Sequence, residues 1–211
     1  LFREGDNGFV ETSPKNDITQ SVSGLVFKYK AGEFFQNNAF VLPLLVNHCI
    51  DLLIGHGCEY MIDAYCGSGL FSLSAHKQFK KIYGVEISAL AIEAANQNAK
   101  SNKIRNVKFI HGSSEKIFDT LKPSTTCATA GIDSEKTAVL IDPPRRGCDS
   151  SFLEQLVGFH PKKIVYVSCD PATQARDAKY LVDNGYKITC VTPIDLFPQT
   201  RHIENVMCFV R

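Results

Sequence analysis

Val165-Tyr166-Val167-Ser168-Cys169-Asp170-Pro171-Ala172-Thr173 decides the fold. A β-branched, apolar run stops at a cysteine, and Asp-Pro then opens a helix, because aspartate caps well and proline is tolerated in a first turn. The thiol therefore stands at the carboxyl end of a strand, where open α/β sheets hold their ligands. Two upstream segments end in a similar way. Val139-Leu140-Ile141-Asp142-Pro143-Pro144-Arg145 closes on a carboxylate and an arginine, and Met61-Ile62-Asp63-Ala64-Tyr65-Cys66-Gly67-Ser68-Gly69 closes on a glycine-rich turn. Three strands carry reactive or ligand-holding groups to one rim, which is the pattern of covalent chemistry beside a nucleotide-like cofactor.

Outward from these segments, strand and helix patterns alternate. Strands are expected near 61–65, 81–86, 107–111, 137–142, 163–168 and 186–192, with a final strand from Asn205 to Val210. Helices are expected near 70–79, 88–102, 114–121, 150–158 and 171–184. Such alternation implies a parallel sheet with right-handed crossovers, and the short segment 193–204 lets the last strand enter antiparallel. Upstream, residues 1–23 are polar and without period, and residues 24–35 read as a hairpin or a strand turning at Ala31-Gly32. Asn37 or Asn38 can cap a helix running to about Gly57, with Phe40, Val41, Leu44, Leu45, Cys49, Leu52 and Leu53 on one face. The small, polar stretch 122–136 reads as a surface insertion. Residues 1–37 are expected to be a loop and hairpin remnant of an upstream region, and 38–211 a catalytic domain.

The bulk numbers fit this organisation. With 211 residues, 44% hydrophobic and 21% charged, the chain suits one domain with a real core. No run of about 18 apolar residues marks a transmembrane helix. A net charge of +1 is not the basic excess of a stand-alone nucleic-acid binder, although a catalytic domain relying on another module for affinity would look the same. The eight cysteines are scattered singly without a CxxC pair, so zinc and iron–sulfur spacing is absent and no metal is expected. A reducing compartment, cytoplasm or nucleus with an organelle left open, and no membrane partner are expected. The chain starts at Leu1 without a start signature, so a piece of a longer protein is expected.

On the cofactor side, Asp63 through Gly69 lacks the three glycines of a dinucleotide site but offers Gly67-Ser68-Gly69 after a strand-end acid. Glu86 ends the next strand about 20 residues on, where an acid holds ribose hydroxyls in dinucleotide folds. S-adenosylmethionine is favoured over NAD because it has no pyrophosphate to cradle. Asp63 and Glu86 suit its amino group and ribose. The bland alternative is a plain strand–turn–helix junction with a surface glutamate.

On the reactive side, a thiol before a helix N-terminus has its thiolate favoured by the dipole. Cys169 alone among the cysteines combines this with loaded neighbouring strand ends. The other seven read as small hydrophobes, with Cys66 set apart only because it adjoins the glycine turn. Asp142-Pro143-Pro144 resembles the turn of enzymes that methylate exocyclic amines. Arg145 replaces the stacking aromatic of those enzymes, which argues against that reaction. In Asp195-Leu196-Phe197-Pro198-Gln199-Thr200-Arg201-His202-Ile203-Glu204, the glutamate is a candidate general base.

Five blocks, in order, resemble the RNA 5-methyluridine methyltransferases, the tRNA (uracil-5-)-methyltransferase family: Phe34-Phe35-Gln36-x-Asn38, Asp63-x-Tyr65-Cys66-Gly67-x-Gly69-x-Phe71, Asp142-Pro143-Pro144-Arg145-x-Gly147, Ser168-Cys169-Asp170-Pro171-x-Thr173-x-Ala175-Arg176-Asp177, and Asp195-x-Phe197-Pro198-x-Thr200-x-His202-x-Glu204. The family usually has asparagine where this chain has Asp170, and often where it has Leu70. The resemblance implies a Rossmann-like class I S-adenosylmethionine-dependent α/β fold, with a mostly parallel seven-stranded sheet and an antiparallel last strand. It implies Cys169 as nucleophile and Glu204 as proton acceptor, with Gln36, Tyr65, Glu86 and Asp142 lining the cofactor site beside Gly67 and Asp63. Arg145 is the candidate to stabilise an enolate oxygen of the substrate. The implied substrate is a uridine in RNA, with the T-loop uridine of tRNA ahead of ribosomal RNA. An N-terminal RNA-binding region of the family is expected to lie outside this chain. Cytosine methylation is disfavoured, since those enzymes set the nucleophile in Pro-Cys or Thr-Cys and pair it with aspartate. A non-catalytic subunit would have no chemical need of both Cys169 and Glu204.

Overall fold

The structure is a computed structural model that describes residues 3–4, 10–11, 17–30, 32–36, 38–113, 117–118 and 132–211. Its element order is β1 (Arg3–Glu4), β2 (Val10–Glu11), β3 (Asp17–Val22), β4 (Leu25–Lys30), α1 (Leu42–Leu53), β5 (Tyr60–Asp63), α2 (Leu70–Ser74), β6 (Lys81–Glu86), α3 (Ala89–Ser101), β7 (Val107–His111), β8 (Thr137–Ile141), α4 (Ser150–Phe159), β9 (Lys163–Ser168), α5 (Pro171–Asp183), β10 (Lys187–Ile194) and β11 (Glu204–Val210). Of the expected helix over 114–121, the described residues Ile117 and Phe118 are helical and buried; the rest of it and most of the expected insertion over 122–136 lie outside the described residues.

A seven-stranded sheet runs β10-β11-β9-β8-β5-β6-β7. Strands β7, β6, β5, β8 and β9 are mutually parallel, while β11 is antiparallel to both β9 and β10. The chain order reverses between β5 and β8. A crevice therefore opens outside the carboxyl ends of those two strands, the switch point where such sheets bind ligands. The final strand is antiparallel as expected, with Pro193 on edge strand β10, where a missing N–H is tolerated.

Strands β8 and β9 are apolar without alternation because both faces of the sheet are covered. Ala138, Leu140, Val165 and Val167 face a core shared with α1, α2 and the β3–β4 hairpin, while Val139, Ile141, Ile164 and Tyr166 face the core under α4 and α5. Leu42, Leu45 and Leu53 of α1 are fully buried, each contributing about 1.5–3 kcal/mol relative to exposure. The buried ammonium of Lys163 donates to the carbonyls of Leu52 and Ile54, both at 2.7 Å, and so closes the C-terminus of α1.

Three expectations need correction. The hairpin turns at Ser23-Gly24, not at Ala31-Gly32, and residues 17–22 within the expected loop form its first strand. Both turn residues have positive φ (48° and 84°), the primed geometry that matches strand twist. Helix α1 starts at Leu42 because Pro43 belongs in a first turn, and the Asn38 carboxamide oxygen instead accepts from Phe40 and Val41 in the turn before it. Helix α2 stops at Ser74 rather than 79. His76 Nδ1 donates to the Leu73 carbonyl at 2.8 Å, and the Asn106 amide captures the carbonyls of His76 and Phe79.

Candidate active site

The crevice is a cavity of about 600 Å³ whose wall includes Gln36, Tyr65, Gly67, Glu86, Asp142, Arg145, Cys169 and Glu204. Parallel strands explain the first members: β6 ends on Glu86, β8 on Ile141 just before Asp142, and β9 on Ser168 just before Cys169. Glu204 arrives by the opposite route. It opens the antiparallel strand β11, and the pairing of Asn205 with Ser168 sets it at the same rim beside Cys169. The fully buried Gln174 fixes that pairing by donating to the carbonyls of Tyr166 and Asn205 and accepting from the Asn205 amide at 2.6 Å.

The turn around Cys169 is built locally. Ser168 Oγ accepts from the Asp170 N–H at 3.1 Å, and Asp170 Oδ1 caps α5 by accepting from Ala172 and Thr173. The half-buried thiol shares the cavity wall with Arg145, whose charge acts on it. Burial pushes the Cys169 thiol up, the Glu204 carboxylate adds to that, and Arg145 draws it down; the net direction is up. That direction is opposite to the one expected from the helix terminus.

Burial also raises the carboxyl of Glu204 to about 7, against a lowering by Arg145. Its Oε2 is buried and has no hydrogen-bond partner among the described residues. Asp142 is pushed well above the usual carboxylate range by burial, with Glu204 and Asp63 adding, while a hydrogen bond from Gln36 pulls the other way. Arg145 Nη2 lies 3.5 Å from His202 Nδ1, and Phe197 packs edge-on against that imidazole. A thiol, a carboxyl poised near neutrality and a guanidinium therefore share one cavity wall.

The cofactor side is set by the β5–α2 turn. The Glu86 carboxylate accepts from the N–H groups of Gly67 (3.1 Å) and Ser88 (2.9 Å), tying the ends of β5 and β6 together. Gly69 has φ 91°, and a Cβ there would lie 2.8 Å from the Phe109 ring, so the turn needs glycine. At Gly67 nothing lies within 4 Å of a Cβ position. Tyr65 packs edge-on against Phe152, ring centroids 5.5 Å apart.

Five of the six expected cofactor residues line the cavity. The exception is Asp63, which is fully buried, absent from the cavity wall and engaged with α2, accepting from Ser72 N–H (3.1 Å) and Oγ (2.7 Å). A strand-end acid can turn into the first turn of the next helix as well as out to a ligand. Burial raises it to about 7. Cys66 is a buried thiol under the glycine turn, pushed up by burial. The wall also includes Glu33, Phe34, Ile87, Ser88 and Phe197, which carried no strand-end signal in the sequence. The wall carries the carboxyl groups of Glu33, Glu86, Asp142, Asp149 and Glu204 beside the guanidinium groups of Arg145 and Arg146, and the unpartnered Glu204 Oε2 leaves acceptor capacity there. With carboxyl acceptors outnumbering guanidinium donors, the wall suits a ligand bearing amino and hydroxyl groups better than a polyphosphate.

A seven-stranded sheet in this order, with acids at its switch point and a thiol at the rim, defines a class I methyltransferase-type domain. The chain belongs to the tRNA (Uracil-5-)-methyltransferase family, whose model matches residues 15–211. It is 41% identical over 211 residues to the tRNA (uracil(54)-C(5))-methyltransferase of Saccharomyces cerevisiae, covering 95% of this chain and 32% of that protein. The enzyme of the same name from Schizosaccharomyces pombe is 39% identical, with 96% of this chain and 39% of that protein covered. The crystal structure of Pyrococcus abyssi tRNA (uracil-54, C5)-methyltransferase with S-adenosyl-L-homocysteine superposes with a TM-score of 0.75 at 29% identity, over 96% of this chain and 47% of that one. The chain thus spans about a third to two fifths of the curated relatives named here.

Proposed function

We propose that this chain is the catalytic part of an S-adenosylmethionine-dependent enzyme that methylates carbon 5 of a uridine in RNA, the T-loop uridine of tRNA in the first instance. The observation that carries the reading is the convergence of Cys169, Arg145 and Glu204 on one cavity wall. Family membership and the names of the relatives support the substrate class.

The chemistry follows from what uracil lacks. Its carbon 5 is a poor nucleophile. Addition of the Cys169 sulfur to carbon 6 makes carbon 5 an enolate carbon, with the negative charge shared by the carbonyl oxygen. Arg145 helps twice, by stabilising the thiolate and by offering N–H donors to the developing oxyanion. S-adenosylmethionine, when bound, supplies an electrophilic methyl. Glu204 then takes the proton from carbon 5, the electron pair re-forms the 5,6 double bond, and the Cys169 sulfur leaves. A carboxyl raised to about 7 is a stronger base than an ordinary glutamate and is still substantially ionised at neutral pH. Gln36, Tyr65, Gly67, Glu86 and Asp142 would hold the cofactor, Gln36 acting in part by orienting Asp142. The target base must leave its stack to reach the rim.

The complete protein, given methyl-labelled S-adenosylmethionine and a tRNA transcript, is expected to form 5-methyluridine in the T-loop. Product in a ribosomal RNA fragment alone would move the substrate and keep the chemistry. No methylated uridine in any RNA would contradict the reading. Glu204→Gln is expected to accumulate a protein–RNA adduct on ordinary RNA, because elimination stalls after addition.

A further inference from the structure

Thr173, Arg176 and Asp177 lie on the first turns of α5, beyond the residues assigned to chemistry above. We propose that they are positioning residues, which lock the backbone of residues 145–148 so that the Arg145 guanidinium is held on the cavity wall it shares with the Cys169 thiol. The inference rests on the reading of Cys169 as nucleophile.

An arginine on an exposed loop has many rotamers, and keeping it at one place on the cavity wall requires that its backbone be fixed. Backbone groups at three of the four loop positions are engaged by α5. The Thr173 hydroxyl donates to the Arg145 carbonyl at 3.0 Å. Arg176 Nη2 donates to the carbonyls of Arg146 (3.0 Å) and Cys148 (3.3 Å). Asp177 Oδ2 accepts from the Cys148 N–H at 2.8 Å. At the remaining position, the Gly147 N–H donates to the Pro144 carbonyl at 2.8 Å, closing the turn.

The two anchoring side chains are themselves fixed. The Asp177 carboxylate, 1% exposed, also accepts from Tyr166 Oη at 2.8 Å and from Arg176 Nε at 2.8 Å, and pairs with Arg176 Nη2 at 2.7 Å. Four donors on one buried carboxylate are a costly arrangement to maintain, and the group they organise is the catalytic loop. Gly147 shows how closely the parts fit. Its φ is 76°, and a Cβ there would fall 2.6 Å from both Arg176 Nη2 and Asp177 Oδ2. The loop rests directly on the ion pair, with no room for a side chain between them.

The test separates positioning from general stability. In the complete protein, the pH dependence of Cys169 alkylation by iodoacetamide, mapped by mass spectrometry, reports how firmly Arg145 is held. Arg176→Lys keeps the charge but loses the fork, and Thr173→Ala removes the bond to the Arg145 carbonyl together with the hydroxyl's local contact to the Asp170 carbonyl within its own helix turn. Arg176→Lys is expected to slow alkylation of Cys169 at pH 7.5 by about tenfold, a midpoint shift of about one unit, and Thr173→Ala by about threefold. Affinity for S-adenosylhomocysteine should change less than about twofold, as for a residue that does not touch the cofactor. In an Arg145→Ala background the same two substitutions should change alkylation less than about twofold, because they act through that side chain. Unchanged alkylation profiles in the single variants would overturn the inference, as would effects that persist in full without Arg145. Asp177→Asn adds a harsher arm; if it does not fold, Arg176→Lys and Thr173→Ala still decide. Failure of the underlying reading looks different: methyl transfer that survives in Cys169→Ala would remove the nucleophile and leave the alkylation results as they are.

Discussion

At Cys169 two charges of opposite sign compete for one proton. Glu204 raises the thiol and Arg145 lowers it, with burial setting the upward balance. The signs give a prediction. Glu204→Gln removes a negative charge and should move the midpoint of Cys169 alkylation to lower pH. Arg145→Ala removes the counter-charge and should move it to higher pH. Each shift is expected to be on the order of half a unit to one unit. Alkylation kinetics mapped to Cys169 between pH 6 and 10 check this, and shifts of the opposite sign would contradict it. The sequence exposes Cys169, Asp142 and Glu86 because each stands at or directly after the end of an apolar run. The same signal misleads at Asp63, whose carboxylate turns inward to Ser72. Arg176 and Asp177 are harder to read, since their loop partners lie 28 to 30 residues away.

Among the elements, the β3–β4 hairpin is bound to the domain by two asparagines one helical turn apart, Asn98 on α3 and Asn102 at its C-cap. Asn98 accepts from the Lys28 N–H at 2.8 Å and donates to the carbonyls of Lys28 and Ser68, both at 3.1 Å. Asn102 accepts from the N–H of Val26 and donates to its carbonyl. The helix thus pairs with the open edge of β4 as a neighbouring strand would, and one bond reaches the glycine turn through Ser68. Asn98→Ala should cost about 1–3 kcal/mol in chemical denaturation, because buried backbone groups lose their partners. Exposed Asn96→Ala should stay within about 0.5 kcal/mol. Equal effects would argue against the tether. The hairpin was legible as an element but not in its turn. Thr19, Gln20 and Ser21 form an uninterrupted polar run, so β3 has little period-2 signal, whereas the turn at Ser23-Gly24 depends on positive φ at a serine. The parallel strands were legible nearly to the residue because burial on both faces makes them unbroken apolar runs.

For the whole molecule, the sheet order brings groups from four strand ends and an antiparallel strand start to one crevice, while the net charge of +1 leaves little general attraction to RNA. The chain alone is therefore expected to bind S-adenosylhomocysteine but to hold tRNA only weakly, with Kd above about 1 μM at physiological salt. A nanomolar Kd from a salt titration would contradict that. Alternation of strands and helices made the architecture readable from the sequence, but the register between β9 and β11 that sets Glu204 beside Cys169 is a long-range pairing with no local signature. Covalent catalysis at that junction is the central claim, and one trapping experiment tests it directly. The complete protein is incubated with S-adenosylmethionine and tRNA carrying 5-fluorouridine, whose fluorine cannot leave carbon 5 as a proton does. A denaturation-resistant protein–RNA adduct that disappears in Cys169→Ala is the predicted result. No adduct, or an adduct that persists in Cys169→Ala, would contradict the account.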